Sequence, residues 1–394
     1  MPRCALYIHS LGTASAAGVG LNALRRTLFG ECASGMRSHR GLAPQTNRLF
    51  HCGLVDAIKP DAGNDRTKAL LDMCLAQMTQ LPALLRKTDP ERVAVVLGAC
   101  TAGMHRVEED MFTYARQRRL PETFDIGSLN LFEPSRHVAE KINACGPIYT
   151  VSNACASGLM AIESAARLLQ ADLADVVVTG GCDGFCQFTN AGFSALSAVS
   201  SDPCTPFDKN RKGINLGEGG ALFAMSRDAD NAMFAFSGMG LSTDAHHLSA
   251  PEPEGEQAAH AMRQALEVSG ITPPDVDLVL AHGTGTVLND AMEAKAVHAV
   301  FGEEVPCASY KALSGHTLAG AGALQAAIAA AFLIDNPQGR LAASAGLAHK
   351  DPTLAAANIL TAPRALGRAL RHVVANAFAF GGSNASAVFS RVSL

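Results

Sequence analysis

The chain has 394 residues, 48% hydrophobic and only 17% charged, with a formal net charge of −4. That length supports one large domain or two ordinary ones around a sizeable core. The near-balanced charge excludes the basic excess of a nucleic-acid-binding protein. Eleven cysteines are too sparse for a disulfide scaffold. None forms a Cys-x-x-Cys pair, and Cys182 and Cys186 have no second pair at zinc-site spacing. Most therefore read as reduced, buried thiols of a cytoplasmic protein, with no metal centre expected.

In chain order, the opening stretch MPRCALYIHSLGTASAAG loses its apolar run at His9, Ser10 and Gly12. It reads as a first strand rather than an export signal. Six further strands are expected within 92–100, 148–155, 175–181, 276–285, 305–316 and 372–382, separated by Ala-rich helical patterns. This is an α/β signature with buried strands. The six fall into two series of three, and the second begins near residue 230, after GEGGALFAMSR. Two similar halves follow as an expectation, 1–228 and 229–394. The apolar run at 319–334 is too short and too interrupted by Gly and Gln to span a bilayer.

One junction carries chemistry. In YTVSNACASGLMAIESAARLL (149–169), a β-like run meets small residues around Cys155, and a helix pattern follows with Leu159, Ile162, Ala166 and Leu169 on one face. A thiol at a helix start meets free N–H groups and the positive dipole end, which favour thiolate. Small neighbours let a substrate carbonyl approach, as a thioester-forming nucleophile needs. Taken alone, the stretch reads equally well as a packing cysteine. Two histidines add weight: His282 at a strand end with Thr284 and Thr286 following, and His316 with Lys311, ahead of a helix packed through Gly320 and Gly322.

Five ordered blocks then carry a resemblance: NACASG, TPFDKNRKGINLGEGG, AHGTGTVLNDAMEAKAV, YKALSGHTLAGAG and NAFAFGGSN. From about residue 92 onward the chain resembles the β-ketoacyl-[acyl-carrier-protein] synthases, the elongating condensing enzymes of fatty acid and polyketide synthesis. The resemblance implies a duplicated, five-layered αβαβα thiolase-like fold, usually dimeric. It implies that Cys155 accepts the acyl chain and that His282 and His316 stabilise the enolate left by malonyl decarboxylation. Lys311 would support the site, paired with Glu293. Thr284 and Thr286 would contact the phosphopantetheine arm. Phe378 and Phe380 would gate the site, with the N–H groups of Cys155 and Phe380 forming the oxyanion hole. No cofactor is implied, because the substrates ride on acyl carrier protein.

Three departures stand out: Ala379 between the gating phenylalanines, Gln325 in place of an acidic residue, and Ala319 in place of a glycine. They bear on gating and on any structural cation site. Thr101 lies where the family lines its acyl pocket, and its small size favours long or rigid chains such as polyenes. An acidic carrier protein needs a basic patch, for which Arg66, Lys68, Arg116, Arg118, Arg119, Lys209, Arg211 and Lys212 are candidates. A thiolase would carry a second cysteine in the last block, and a starter-type synthase an asparagine in place of His316. A chain-length factor would lack the nucleophile. The chain therefore reads as an active synthase, a homodimer or the active half of a ketosynthase–chain-length-factor pair. A cysteine hydrolase is the remaining alternative.

Overall fold

The structure is a computed structural model that describes residues 6–42, 48–58 and 65–392. Met1–Ala5 of the expected first strand lie outside the described residues. Ten strands form its main sheet: β1 (Leu6–Ser15), β2 (Val93–Gly98), β3 (Ile148–Val151), β4 (Val176–Asp183), β5 (Gly219–Ser226), β6 (Phe234–Thr243), β7 (Leu278–Leu280), β8 (Cys307–Ala308), β9 (His372–Phe378) and β10 (Ser383–Ser390). A short strand, Gly18–Val19, folds back on β1.

The order across the sheet is β8-β7-β9-β10-β6-β1-β5-β4-β2-β3. The two sides mirror one another. β1 and β5, then β5 and β4, pair antiparallel, while β4, β2 and β3 run parallel. On the other side β6, β10 and β9 pair antiparallel, while β9, β7 and β8 run parallel. The sides meet where Leu6–Ile8 of β1 pair with Phe234–Phe236 of β6.

Successive strand residues point to opposite faces, and here both faces are covered. Val93, Val95 and Leu97 join an outer core beneath α1 (Arg66–Leu75) and α3 (Glu133–Ile142). Ala94 and Val96 instead face a central core with α4 (Ser157–Gln170) and α9 (Gly320–Leu333). On the second side, Leu278 and Val373 face that same central core. Val279 and Val374 face α6 (Glu256–Ser269) and α7 (Val287–Phe301). The result is the five-layered αβαβα arrangement that the resemblance implies.

Every residue of α9 is buried, which explains why Gln325 is its one polar side chain. Its approach to α4 depends on glycine: a Cβ on Gly158 would sit 2.7 Å from Ala319 O, and one on Gly322 2.8 Å from Leu159 N.

Three strands of the main sheet escape the sequence reading: β5, β6 and β10. Each is Gly-, Ala- or Ser-rich and buried along most of its length, so none shows a period-two alternation. The expected strand at 305–316 shrinks to Cys307–Ala308, followed by a helical turn, α8 (Lys311–Ser314). All ten described cysteines are free thiols. Among the described residues, no helix is long and apolar enough to cross a membrane.

Candidate active site

Cys155 sits in the turn between β3 and α4, just before the N-cap residue Ala156. Ala154 beside it takes φ 45°, a left-handed conformation that costs an L-residue roughly 1–2 kcal/mol. Ser157 locks this turn. Its hydroxyl donates to Ala154 O at 2.6 Å and accepts from the N–H of Asn153 at 2.7 Å. The thiol is held buried, and the backbone N–H groups of Phe380 and of Cys155 itself are directed at it.

His282 follows β7. Glu293 of α7 fixes its backbone, accepting the N–H groups of His282 and Gly283, each at 2.7 Å. His316 lies ahead of α9, and its Nδ1 accepts the N–H of Leu318 at 3.1 Å. In neutral His316 the ring proton is therefore assigned to Nε2, a donor. The two rings lie 5.4 Å apart at 85°. The Cys155 sulfur and one nitrogen of each ring all lie within 4.8 Å of one another. Lys311, the first residue of α8, is buried beside them.

Burial, then the charge of Lys311, holds both imidazoles well below the ordinary histidine range, so they are neutral near pH 7. The thiol departs from expectation. Burial pushes Cys155 up to about 11, against the pull of Lys311 and the two N–H groups. Desolvation outweighs the helix end, and the resting group is a thiol rather than a thiolate. In the free protein, alkylation of Cys155 by iodoacetamide should therefore climb with pH from about 7 to about 9, roughly tenfold per unit, as the thiolate fraction does. A plateau below pH 9 would place the thiolate in the resting site after all.

A thiol and two imidazoles are donor types that suit zinc. The Lys311 ammonium occupies the same buried space and opposes a divalent cation. The arrangement suits a developing oxyanion better, with neutral ring N–H groups and backbone N–H groups around a sulfur nucleophile.

The remaining site expectations divide. Phe378 is buried with its ring 6.3 Å from that of His282, and Phe380 stacks against Phe193 at 5.4 Å. Ala379 between them avoids positive φ, so its Cβ is accepted without backbone strain in this conformation. Phe380, Thr286 and Lys212 line a cleft of ≈ 310 Å³ that reaches the surface beside Leu196 and Val287. The Thr284 hydroxyl is buried and pairs with that of Thr286 at 2.9 Å. Gln325 places its amide N–H₂ between Ala281 O and Asn376 O, at 2.9 Å from each. A neutral side chain thus satisfies two carbonyls, one just after β7 and one within β9.

Other expectations need correcting. Glu293 forms no ion pair with Lys311; its oxygens are committed to the His282 and Gly283 N–H groups, and Lys311 feels its charge only across space. The Thr101 hydroxyl donates to Asp183 at 2.9 Å, so its polar end faces a carboxylate rather than an apolar pocket. Arg66 is no docking residue: it is buried and ion-paired with the fully buried Glu218. Arg211 is likewise buried and held by Asp351 at 2.6 Å. Lys68 is half-buried and bonded to Glu133 at 3.2 Å. Lys209, Lys212, Arg116, Arg118 and Arg119 remain exposed.

Because removing Arg66 strands a buried carboxylate, Arg66→Ala is expected to cost about 3–5 kcal/mol of stability. The shift in the denaturation midpoint reads it, and a midpoint at the wild-type position would show Glu218 protonated or hydrated instead.

Asp183, at the end of β4, is the organising residue that sequence reasoning missed. It accepts the N–H of Cys100 at 3.0 Å, and those of Thr101 and Ala319 at 2.9 Å each. It thereby ties the loop after β2 to the start of α9. Its signal was an acidic residue closing the strand in VVVTGGCDGFC.

This geometry has relatives. The profile of the beta-ketoacyl synthase N-terminal domain matches residues 64–231, and that of the C-terminal domain matches residues 233–337. The chain is 31% identical over 326 residues to a 3-oxoacyl-[acyl-carrier-protein] synthase 2 of Coxiella burnetii, covering 78% of this chain and 77% of the relative. Among solved structures, a ketosynthase from Xenorhabdus doucetiae, in complex with its chain length factor, superposes with a TM-score of 0.91 at 32% identity over 98% of both chains. The ishigamide ketosynthase/chain length factor shares the fold, with a TM-score of 0.88 at 23% identity over 99% of this chain and 100% of that one.

Proposed function

Because the chain belongs to the β-ketoacyl synthase family, we propose that it condenses a Cys155-bound acyl chain with malonyl-[acyl-carrier-protein]. The observation that carries this reading is the convergence of Cys155, His282 and His316 within 4.8 Å, beside two N–H groups directed at the sulfur. In the first half-reaction the acyl group leaves its carrier thiol for Cys155, and the Cys155 proton ends on the departing thiol. Lys311 lowers the cost of the transient thiolate. In the second, malonyl-carrier protein loses CO₂, and the enolate oxygen accepts hydrogen bonds from His282 and His316. The enolate carbon attacks the Cys155 thioester, whose oxyanion rests on the N–H groups of Cys155 and Phe380. Collapse frees the Cys155 sulfur, which regains a proton, and leaves a β-ketoacyl group on the carrier. The balance draws on no redox or nucleotide cofactor.

We take 1–228 and 229–394 as fused halves, the first supplying the nucleophile and the second the imidazoles. Thr284 and Thr286 would guide the pantetheine arm along the cleft to a gate formed by Phe378 and Phe380. The protein would work in the cytoplasm with its carrier protein. The test is reconstitution with acyl- and malonyl-carrier proteins: β-ketoacyl-carrier protein supports the reading, whereas free fatty acid would make the protein a hydrolase.

Docking would use the exposed cations near the cleft. Lys209→Ala with Lys212→Ala should raise the KM for carrier protein and flatten its salt dependence, leaving kcat little changed. A fall in kcat alone would move the docking surface elsewhere.

A second reading concerns assembly. The likeness to the Xenorhabdus doucetiae ketosynthase supports this chain being the active half of a heterodimer with a chain length factor. The edge strand β3 and the exposed apolar residues Met111, Tyr114, Ile126 and Phe132 would suit such a partner. Co-expression with a ketosynthase-like subunit lacking the nucleophile should give a stable 1:1 complex on size exclusion. Recovery of this chain only as a homodimer would reject it.

A further inference from the structure

A small cavity of ≈ 20 Å³ lies between the α8 turn and α9, lined by Ala281, Lys311, Ser314, Thr317 and Gln325 among others. By that measure a buried water needs roughly 10–15 Å³ and two to four polar partners. The polar partners are present and unused. The Thr317 hydroxyl is fully buried and bonds to no other group. Gln325 spends both amide hydrogens on Ala281 O and Asn376 O, which leaves its Oε1 as a free acceptor. Lys311 lies buried in the same wall and makes no side-chain hydrogen bond or ion pair among the described residues. The residues that line this water-sized space thus carry one ammonium donor, one hydroxyl and one amide oxygen acceptor, a matched set.

We propose that this cavity holds one structural water bonded to Lys311 Nζ, Thr317 Oγ1 and Gln325 Oε1, and that Thr317 and Gln325 are positioning residues which keep Lys311 free of a carboxylate partner. The charge of Lys311 is then left to act on Cys155. The titratable groups that face Lys311 are Cys155, Glu293, Cys204 and Asp290, with His282 and His316 on the imidazole side. Asp183 acts on Cys155 from β4. None of the carboxylates is within ion-pair distance of Lys311. A water is a better occupant than a cation, which the ammonium would repel, or an anion, which the Gln325 oxygen would repel.

The inference rests on the proposed role of Cys155, but its test needs no carrier protein, so the two can fail separately. Gln325→Glu places a carboxylate against Lys311. It should slow iodoacetamide alkylation of Cys155 at pH 8 about three- to tenfold, because a tenfold change in thiolate fraction corresponds to one pKa unit. Thr317→Val should slow it about twofold, and Thr317→Ser should restore the wild-type rate. Wild-type alkylation in Gln325→Glu, with circular dichroism confirming the fold, would overturn the positioning role. A crystal structure of the free wild-type protein at high resolution should show one water within hydrogen-bond distance of all three atoms. An empty cavity there, or an anion identified by anomalous scattering, would overturn the proposal even if a variant failed to fold.

Discussion

Cys155→Ala is expected to abolish β-ketoacyl formation while leaving the fold intact. The side chain lost is small, differing from alanine by one sulfur, and its chain neighbours are Ala154 and Ala156, so little packing is removed. What disappears is, among the described residues, the only sulfur grouped with both imidazoles and with the N–H groups of Phe380 and Cys155. The neighbouring Cys100 cannot substitute. Its thiol contacts Ala154 O and the Ser157 hydroxyl, and burial pushes it up to about 12. Acyl transfer to this variant, followed by peptide mass analysis, checks the expectation. Persistent labelling at another cysteine would move the nucleophile elsewhere.

The two histidines should separate the half-reactions. Both are neutral and buried, and His316 presents a ring N–H fixed by the Leu318 backbone. Removing one donor from an enolate in a desolvated site costs on the order of 10²–10³ in rate. His282→Ala and His316→Ala should each lose that factor in CO₂ release from malonyl-carrier protein. Acylation draws on Lys311 and the backbone N–H groups, so each variant should still acquire an acyl group on Cys155. Because the resting sulfur is a protonated thiol, acylation should slow in whichever variant has lost the better proton acceptor. A variant that decarboxylates at the wild-type rate removes that histidine from the enolate site. A variant that cannot be acylated at all makes its histidine the base for the thiol.

Much of this site is legible in the chain because its signals are local. Cys155 lies in one contiguous run of strand, small residues and helix, and His282 and His316 each lie in a Gly- and Thr-rich loop before a helix. What is not legible depends on distant partners. Arg66 and Arg211 read as surface cations, since nothing near them reveals Glu218 or Asp351, 152 and 140 residues away along the chain. Asp183 works through backbone N–H groups 83 and 136 residues away. The charge state of Cys155 was misjudged for a related reason. A helix start is visible in sequence, but the depth of burial that outweighs it arises only when α4, α9 and both sides of the sheet pack together. Strands β5, β6 and β10 were missed because burial on both faces erases the alternation that marks a strand.

The most direct measurement is the mass of the intact protein, followed through both half-reactions. Incubation with acyl-carrier protein alone should add one acyl mass, and peptide mapping should place it on Cys155. Addition of malonyl-carrier protein should then discharge that mass and yield one equivalent each of CO₂ and β-ketoacyl-carrier protein. An adduct that maps elsewhere, or one that discharges to free acid without a β-ketoacyl product, would contradict the account.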